Sequence, residues 1–192
     1  ARVMSLRGII SRNHSRVFFY PDQNQLHDPF LMQDMEKAVD RMLKAIADKH
    51  TILIFGDYDV DGTTSAAFLT LFFRSLDVDI HFYIPSRENE GYGLSTKGID
   101  YAKHIGADVL ITCDCGITDI DKVAEAREKG LDVIVTDHHK PAKTLPEAYA
   151  VVNPNRHDCS YPFKGLCGAG VVFKLALAIC KKGGYDSEKA WR

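Results

Sequence analysis

The fold of this chain is decided by the stretch Ile52-Leu53-Ile54-Phe55-Gly56-Asp57-Tyr58-Asp59-Val60-Asp61-Gly62-Thr63-Thr64-Ser65. Its apolar half is short and rich in β-branched residues, which predicts a buried parallel strand. If strand geometry continues to residue 61, the three aspartates point to the same side. Crowded carboxylates repel one another unless a cation lies between them, and such hard oxygen ligands favour magnesium, manganese or calcium. The hydroxyl residues at 63–65 are N-cap candidates for the helix that follows.

Outward from this stretch, segments typical of strands and helices alternate along the chain. The predicted strands are 51–56, 79–84, 108–112, 131–136 and 149–152, and the predicted helices are 31–48, 63–76, 95–105, 119–129 and 171–182. This order predicts an α/β fold, a mostly parallel Rossmann-like sheet with helices on both faces. Right-handed crossovers then place all the strand carboxyl ends at one edge, where ligands bind in such sheets.

Chemically active side chains follow three of these strands. The groups are Asp57-x-Asp59-x-Asp61, then Asp114, then Asp137-His138-His139. Because the strand ends share one edge, we expect all three groups to form a single active site. Adjacent histidines project differently from the backbone, so one imidazole can bind metal while the other contacts a phosphate.

Composition excludes several classes of protein. The 192 residues are 45% hydrophobic and carry a formal net charge of −2, so there is no whole-chain basic signature. No apolar stretch is long enough to span a bilayer and the start lacks a signal-peptide pattern, so we expect no membrane association and a cytoplasmic location. The odd number of cysteines, 5, suits a reducing compartment, and Cys113-Asp114-Cys115 lacks the paired spacing of zinc ligands.

Residues 1–30 are predicted to form an irregular N-terminal segment, and residues 31–192 are predicted to form the domain.

The acidic strand end is compatible with more than one kind of structure. An EF-hand loop fails, because its twelfth position is Phe68 and a strand, not a helix, precedes it. The nucleophile motif of haloacid dehalogenase-type phosphatases fits better, with Asp59 as nucleophile and Asp61 as acid/base, but it leaves Asp57 and the histidines unexplained. A solvated turn rich in aspartate is the structural alternative. A separate glycine-rich stretch, residues 168–170, lacks the third glycine of a dinucleotide-binding loop, so it predicts a close-packed turn into a helix that faces substrate phosphate.

The three groups resemble the first three motifs of the DHH phosphoesterase superfamily. The matching stretches are Asp57-Tyr58-Asp59-Val60-Asp61-Gly62, Asp114-Cys115-Gly116 and Asp137-His138-His139. Flanking segments are similar, more narrowly, to the RecJ family of single-strand-specific exonucleases. These segments are 26–32, 85–87, 90–94, 152–154, 161–163 and 168–171.

The resemblance implies a nuclease with two ions, Mn²⁺ or Mg²⁺, that degrades single-stranded DNA from the 5′ end to mononucleotides in DNA repair and recombination. It implies that Asp57 and Asp59 hold one ion, that Asp61 and His138 hold the other, and that Asp114 bridges them. His139 would contact the phosphate, and Asp137 would orient the histidines. The candidates for substrate binding are Arg87, Tyr92, Gly168 and Gly170.

The family also has a fourth acidic motif and a second domain, and the chain ends before either. We therefore expect a catalytic-domain fragment that has weak or no nuclease activity by itself. Three other functions stay open at this point: a DHH phosphoesterase acting on short oligonucleotides, cyclic dinucleotides or pyrophosphate; a haloacid dehalogenase-like phosphatase; and a non-enzymatic binding module.

Overall fold

The computed structural model describes the backbone of residues 2–190 and the side chains as far as residue 188. Trp191 and Arg192, the last residues of the predicted domain, lie outside the described residues. One sheet organises this part of the chain. Its strands are β1 (Ile52–Gly56), β2 (Ile80–Tyr83), β3 (Val109–Cys113), β4 (Asp132–Thr136) and β5 (Ala150–Val152).

All strand pairs of the sheet are parallel, and the spatial order is β2-β1-β3-β4-β5. The chain leaves β1 toward β2 on one side, and β3 lies on the other side of β1. This reversal creates the crevice in which doubly wound sheets bind ligands. The register aligns the final residues of four strands, because Gly56 lies opposite Cys113, Cys113 opposite Thr136, and Thr136 opposite Val152.

Helices cover both faces of the sheet, which confirms the predicted fold class. The helices of the described residues are α1 (Arg2–Leu6), α2 (Arg12–Phe19), α3 (Met35–Ala47), α4 (Val60–Arg74), α5 (Thr96–His104), α6 (Ile120–Glu128) and α7 (Gly168–Gly183), with short 3₁₀ turns at Gln23–Gln25, Pro29–Leu31 and Ser187–Ala190; the sheet is covered by α3 to α7. The side chains of β1 point alternately to the two faces of the sheet, and the core therefore has two layers. Ile52 and Ile54 pack with α3, α4 and α7, whereas Leu53 and Phe55 pack with α5 and α6. None of the helices in the described residues is both long and apolar enough to cross a lipid bilayer.

Near the acidic stretch the predicted start of the helix is wrong, and the condition for strand alternation as far as residue 61 is not met. Helix α4 begins at Val60, because Asp59 caps it by accepting a hydrogen bond of 2.9 Å from the Gly62 amide. The hydroxyl residues predicted to cap the helix therefore lie inside it, and Thr63 donates to the Asp59 carbonyl oxygen at 2.6 Å. Because β1 ends at Gly56, strand alternation does not reach residue 61. Gly62 permits the tight turn, since a Cβ there would lie 2.5 Å from the Asp57 carbonyl oxygen.

The first thirty residues are less irregular than predicted, because they contain α1 and α2. Neither helix has a buried residue, and the buried hydrophobic core begins only at Met32. An N-terminal segment distinct from the domain thus stays a prediction.

Candidate metal centre

The backbone hydrogen bonds of the sheet continue for one residue past β1, β3 and β4. They fix the backbone of the aspartate that follows each of these strands. The amides of Asp57, Asp114 and Asp137 donate to the carbonyl oxygens of residues 113, 136 and 152 at 3.2, 3.0 and 3.1 Å. All three aspartates are at most 2% exposed. Burying three carboxylates beside one another is unfavourable unless partners compensate the charge.

The first group that offers ligands to a metal consists of Asp57, Asp59 and Asp114. One carboxylate oxygen from each lies within 4.8 Å of the other two. The Oδ1 atoms of Asp57 and Asp114 are buried and accept no hydrogen bond among the described residues, although the His138 Nε2 atom lies within ion-pair distance of Asp114 Oδ1. Buried carboxylate oxygens that converge and accept no hydrogen bond fit a hard divalent cation.

A second group consists of Asp114, His138 and His139, again with ligand atoms within 4.8 Å of one another. The Nε2 atom of His138 lies 3.0 Å from Asp114 Oδ1 and 3.6 Å from Asp61 Oδ2. Asp114 belongs to both groups, so the arrangement can accept two ions that share one carboxylate.

Asp61 has a different environment from the other predicted ligands. Its two oxygens accept hydrogen bonds from the amides of Gly168 and Ala169, at 2.7 and 2.8 Å, at the N-terminus of α7. Asp61 therefore links the first turn of α4 to that of α7, and it lies outside both groups of three. The Gly168 amide, predicted to face substrate phosphate, is already bonded to this carboxylate. A metal ligand role for Asp61 stays a prediction, supported by its nearness to His138.

Asp114 combines backbone strain with a desolvated charge. Its φ of 64° lies in the left-handed region, which a non-glycine residue seldom adopts. A Cβ at Gly168 would lie 2.7 Å from the Asp114 side chain, so only glycine allows α7 to approach this closely. Burial, together with the negative charges of Asp61 and Asp59, raises the pKa of Asp114 to about 7. Burial likewise raises the pKa of Asp57.

The Asp137 carboxylate accepts hydrogen bonds from the histidine pair that follows it in the sequence. Oδ1 accepts hydrogen bonds from the amides of His138 and His139 at 2.7 and 2.9 Å and contacts His139 Nδ1 at 2.8 Å, while Oδ2 accepts from the Ile117 amide at 3.0 Å. Burial opposes ionisation of Asp137, but these hydrogen bonds outweigh it and lower its pKa. The bond to Asp137 raises the pKa of His139 to about 9.

The predicted substrate residues fall in different places. The Tyr92 hydroxyl donates to the Asp114 carbonyl oxygen and lies 3.2 Å from His139 Nδ1, so Tyr92 is part of the site. Arg87 is exposed, and its guanidinium lies 5.5 Å from the ring centre of Tyr58. Gly170 lies on α7, and a Cβ there would lie 3.1 Å from the side chain of Leu166, which precedes the helix. Of the four candidates, Tyr92 and Gly168 contact the acidic cluster.

Sequence reasoning assigned no role to three polar residues near the site. Half-buried Asp119 accepts a hydrogen bond of 2.7 Å from the Leu94 amide, which fastens the loop that carries Tyr92. Asn153 and Asn155, which follow β5, donate to the carbonyl oxygens of His139 and His138. Asn153 could have been found from the sequence, since polar residues directly after a strand also mark the ends of β1, β3 and β4. Asp119 is the N-cap residue of α6, but its side chain makes no cap hydrogen bond and bonds the Leu94 amide instead.

Comparison with known proteins places these features in a family. The family model for the DHH family, N-terminal domain, matches residues 51–190. Two curated relatives are described as single-stranded-DNA-specific exonuclease RecJ. The protein from Bacillus subtilis is 41% identical over 179 residues, which is 93% of this chain and 23% of the relative. The protein from Escherichia coli is 44% identical over 149 residues, which is 77% of this chain and 26% of the relative.

A solved structure agrees with this result. The crystal structure of an exonuclease RecJ bound to manganese superposes with a TM-score of 0.73 at 36% identity, covering 81% of this chain and 40% of that chain. The chain thus spans about a quarter of the length of the curated relatives that it matches. The family match removes the haloacid dehalogenase alternative and accounts for all three motifs together. The chain belongs to the DHH family.

Proposed function

We propose that this chain is the catalytic domain of a RecJ-type exonuclease that hydrolyses single-stranded DNA from the 5′ end and releases mononucleotides. The observation that carries the proposal is the pair of ligand groups that share Asp114, with two buried carboxylate oxygens lacking hydrogen-bond partners among the described residues. The domain is proposed to span residues 31–192, and the activity to serve DNA repair and recombination in the cytoplasm. The curated RecJ relatives support the choice of substrate.

The proposed cofactors are two Mn²⁺ or Mg²⁺ ions. Asp57, Asp59 and Asp114 would hold one ion, and Asp114, His138 and Asp61 the other. When bound, such ions supply Lewis-acid stabilisation of the phosphate and lower the pKa of water. A relative of this chain was crystallised with manganese, which supports the choice of metal.

His139 is proposed to contact the scissile phosphate. Its Nδ1 is held by Asp137 at 2.8 Å, which leaves Nε2 as the ring atom available to a ligand. Because Asp137 raises the pKa of His139 to about 9, the ring carries a positive charge at neutral pH and can stabilise negative charge on the phosphate. Tyr92, which is 49% exposed as a residue while its hydroxyl is fixed in the site, is proposed to pack against the terminal base.

The first test measures metal binding. Calorimetric titration of the purified chain with Mn²⁺ is expected to show two ions, and Asp114→Ala is expected to weaken both sites because both use this carboxylate. The exposed Asp121→Asn variant controls for loss of a negative charge. Unchanged binding in Asp114→Ala would remove the shared site from the proposal.

The second test measures cleavage in a complete enzyme. Residues 51–190 replace the corresponding part of the Bacillus subtilis relative, and the chimera receives 5′-labelled single strands, duplexes and dinucleotides. We expect release of labelled mononucleotide from single strands only, abolished by Asp114→Ala. A chimera that binds Mn²⁺ but cleaves only dinucleotides would contradict the polymer substrate and favour a small-substrate phosphoesterase.

A further inference from the structure

Two asparagines after β5 hold the backbone of the histidine pair. We infer that Asn153 and Asn155 are positioning residues, which set the imidazoles of His138 and His139 for metal and phosphate. This inference rests on the proposed function, because it assigns to the asparagines a part in the same site. The family match identifies the histidine motif but says nothing of these side chains.

Asn153 is fully buried, and both ends of its amide are used. Its Nδ2 donates to the His139 carbonyl oxygen at 2.9 Å, and its Oδ1 accepts from the Asn155 amide at 2.7 Å. Because a donor and an acceptor are both required, the amide has one orientation. The same bond fixes Asn155, whose Nδ2 donates to the His138 carbonyl oxygen at 2.6 Å.

The histidine pair depends on these side chains because it lies outside regular structure. Strand β4 ends at Thr136, and residues 137–140 belong to no helix or strand. On one side, Asp137 accepts the amide hydrogens of His138 and His139. On the other side, the asparagines donate to the carbonyl oxygens of the same two residues. Side chains thus supply the hydrogen bonds that a sheet or helix would otherwise provide.

The turn that carries the asparagines is fastened by other residues. Arg156 donates to the carbonyl oxygen of Val151 at 2.6 Å and to Asp34 at 2.7 Å. Lys164 donates to the carbonyl oxygens of residues 154 and 159 at 2.6 and 2.8 Å. Within the turn the asparagine side chains add one hydrogen bond, from the Asn155 amide to Asn153 Oδ1, and the side-chain N–H donors of both residues are not needed to shape it. Their donors point instead at the histidine backbone, which favours a positioning role over a purely structural one.

The geometry predicts which metal group depends on them. His138 Nε2 lies 3.0 Å from Asp114 Oδ1, and a shift of the histidine backbone would change this separation directly. Asp57 and Asp59 lie on the β1–α4 turn, whereas the side-chain donors of both asparagines bond to the histidine backbone. Loss of a residue that orients a metal ligand lowers metal affinity about 10–100-fold. We expect such a loss for the ion that His138 binds and a much smaller one for the other ion.

Asn155→Leu tests the inference, because leucine keeps the approximate volume of the side chain and removes the donor without adding charge. The matched control is Lys164→Met, which removes two hydrogen bonds from the same turn but none from the histidines. Calorimetric Mn²⁺ titration of the whole chain should show about 10–100-fold weaker binding of one ion in Asn155→Leu and near wild-type binding in Lys164→Met. Imidazole ¹H–¹⁵N spectra of the metal-free proteins should show displaced His138 and His139 signals only in Asn155→Leu.

Wild-type affinity and wild-type imidazole signals in Asn155→Leu would overturn the inference. Equal losses in Asn155→Leu and Lys164→Met would also overturn it, because the turn as a whole would then be responsible. If Asn155→Leu does not fold, Asn155→Ser replaces it in both measurements. If the wild-type chain binds no Mn²⁺, the proposed function fails, and the metal-free spectra still decide whether the asparagines set the histidines.

Discussion

Asp114→Asn is expected to make the metal-free protein more stable at pH 8, although it removes a predicted metal ligand. Asp114 is only 1% exposed, and its Oδ1 has no hydrogen-bond partner among the described residues. The pKa of its carboxyl group is raised to about 7, first by burial and then by the charges of Asp61 and Asp59. Asparagine has nearly the same shape and carries no charge, so it resembles the protonated acid.

The sign and size of the effect follow from this pKa. An unfolded aspartate has a pKa of about 3.9, so between about pH 4 and pH 7 the folded protein binds more protons at Asp114 than the unfolded chain does. The free energy of unfolding must therefore fall as pH rises through this window. One pKa unit is worth about 1.4 kcal/mol, which sets a ceiling of about 4 kcal/mol. Relaxation and water penetration generally reduce the cost of a buried charge below this ceiling, so we expect a gain of about 1–2 kcal/mol for Asp114→Asn.

Urea unfolding in EDTA at pH 4.5 and pH 8 measures this difference. The two proteins should have similar stability at pH 4.5, and the variant should be more stable at pH 8. The exposed Asp121→Asn variant controls for general loss of negative charge and should show no such gain. An Asp114→Asn protein that is no more stable than wild type at pH 8 would refute the electrostatic reasoning.

Adding Mn²⁺ should reverse the order of stability. An ion that binds only the folded state stabilises it by about 2.7 kcal/mol at 100 times its Kd. Wild type is expected to gain this stability at pH 8, and Asp114→Asn is expected to gain little. Equal stabilisation of both proteins would show that Asp114 is not a ligand.

Further changes test other parts of the site. Gly168→Ala places a Cβ 2.7 Å from the Asp114 side chain, so it should weaken Mn²⁺ binding in calorimetry by about 10-fold or more; wild-type affinity would contradict the close packing. Asp137→Asn removes the anion that raises the pKa of His139 to about 9, so the imidazole in metal-free protein should titrate near 6.5 by NMR; an unchanged titration would disprove the coupling. Arg156→Met removes a buried guanidinium that donates to the partly exposed carboxylates of Asp34 and Asp158, so it should lower the free energy of unfolding in urea by about 1.5–3 kcal/mol; a loss below about 1 kcal/mol would show that Arg156 does not fasten the turn.

Periodicity and composition were enough to predict the layers of this fold. Buried parallel strands read as continuous apolar runs, and the helices between them repeat their apolar positions every three or four residues, so both signals are local. The predicted strand 108–112 is observed at Val109–Cys113, and the predicted helix 119–129 at Ile120–Glu128. The start of α4 was wrong, because an aspartate of the candidate metal centre also caps the helix.

The amino-acid sequence by itself also determined that three polar motifs would meet, because the carboxyl ends of parallel strands lie at one edge of the sheet. Only the tertiary structure decided how they meet. The register of β1, β3 and β4 brings Asp57, Asp114 and Asp137 level, while α7 approaches closely enough for its amides to bond Asp61. The contacts between α7 and Asp61 join residues more than a hundred positions apart, which local periodicity does not encode. They arise from strand order and helix packing, and these depend on the whole core at once.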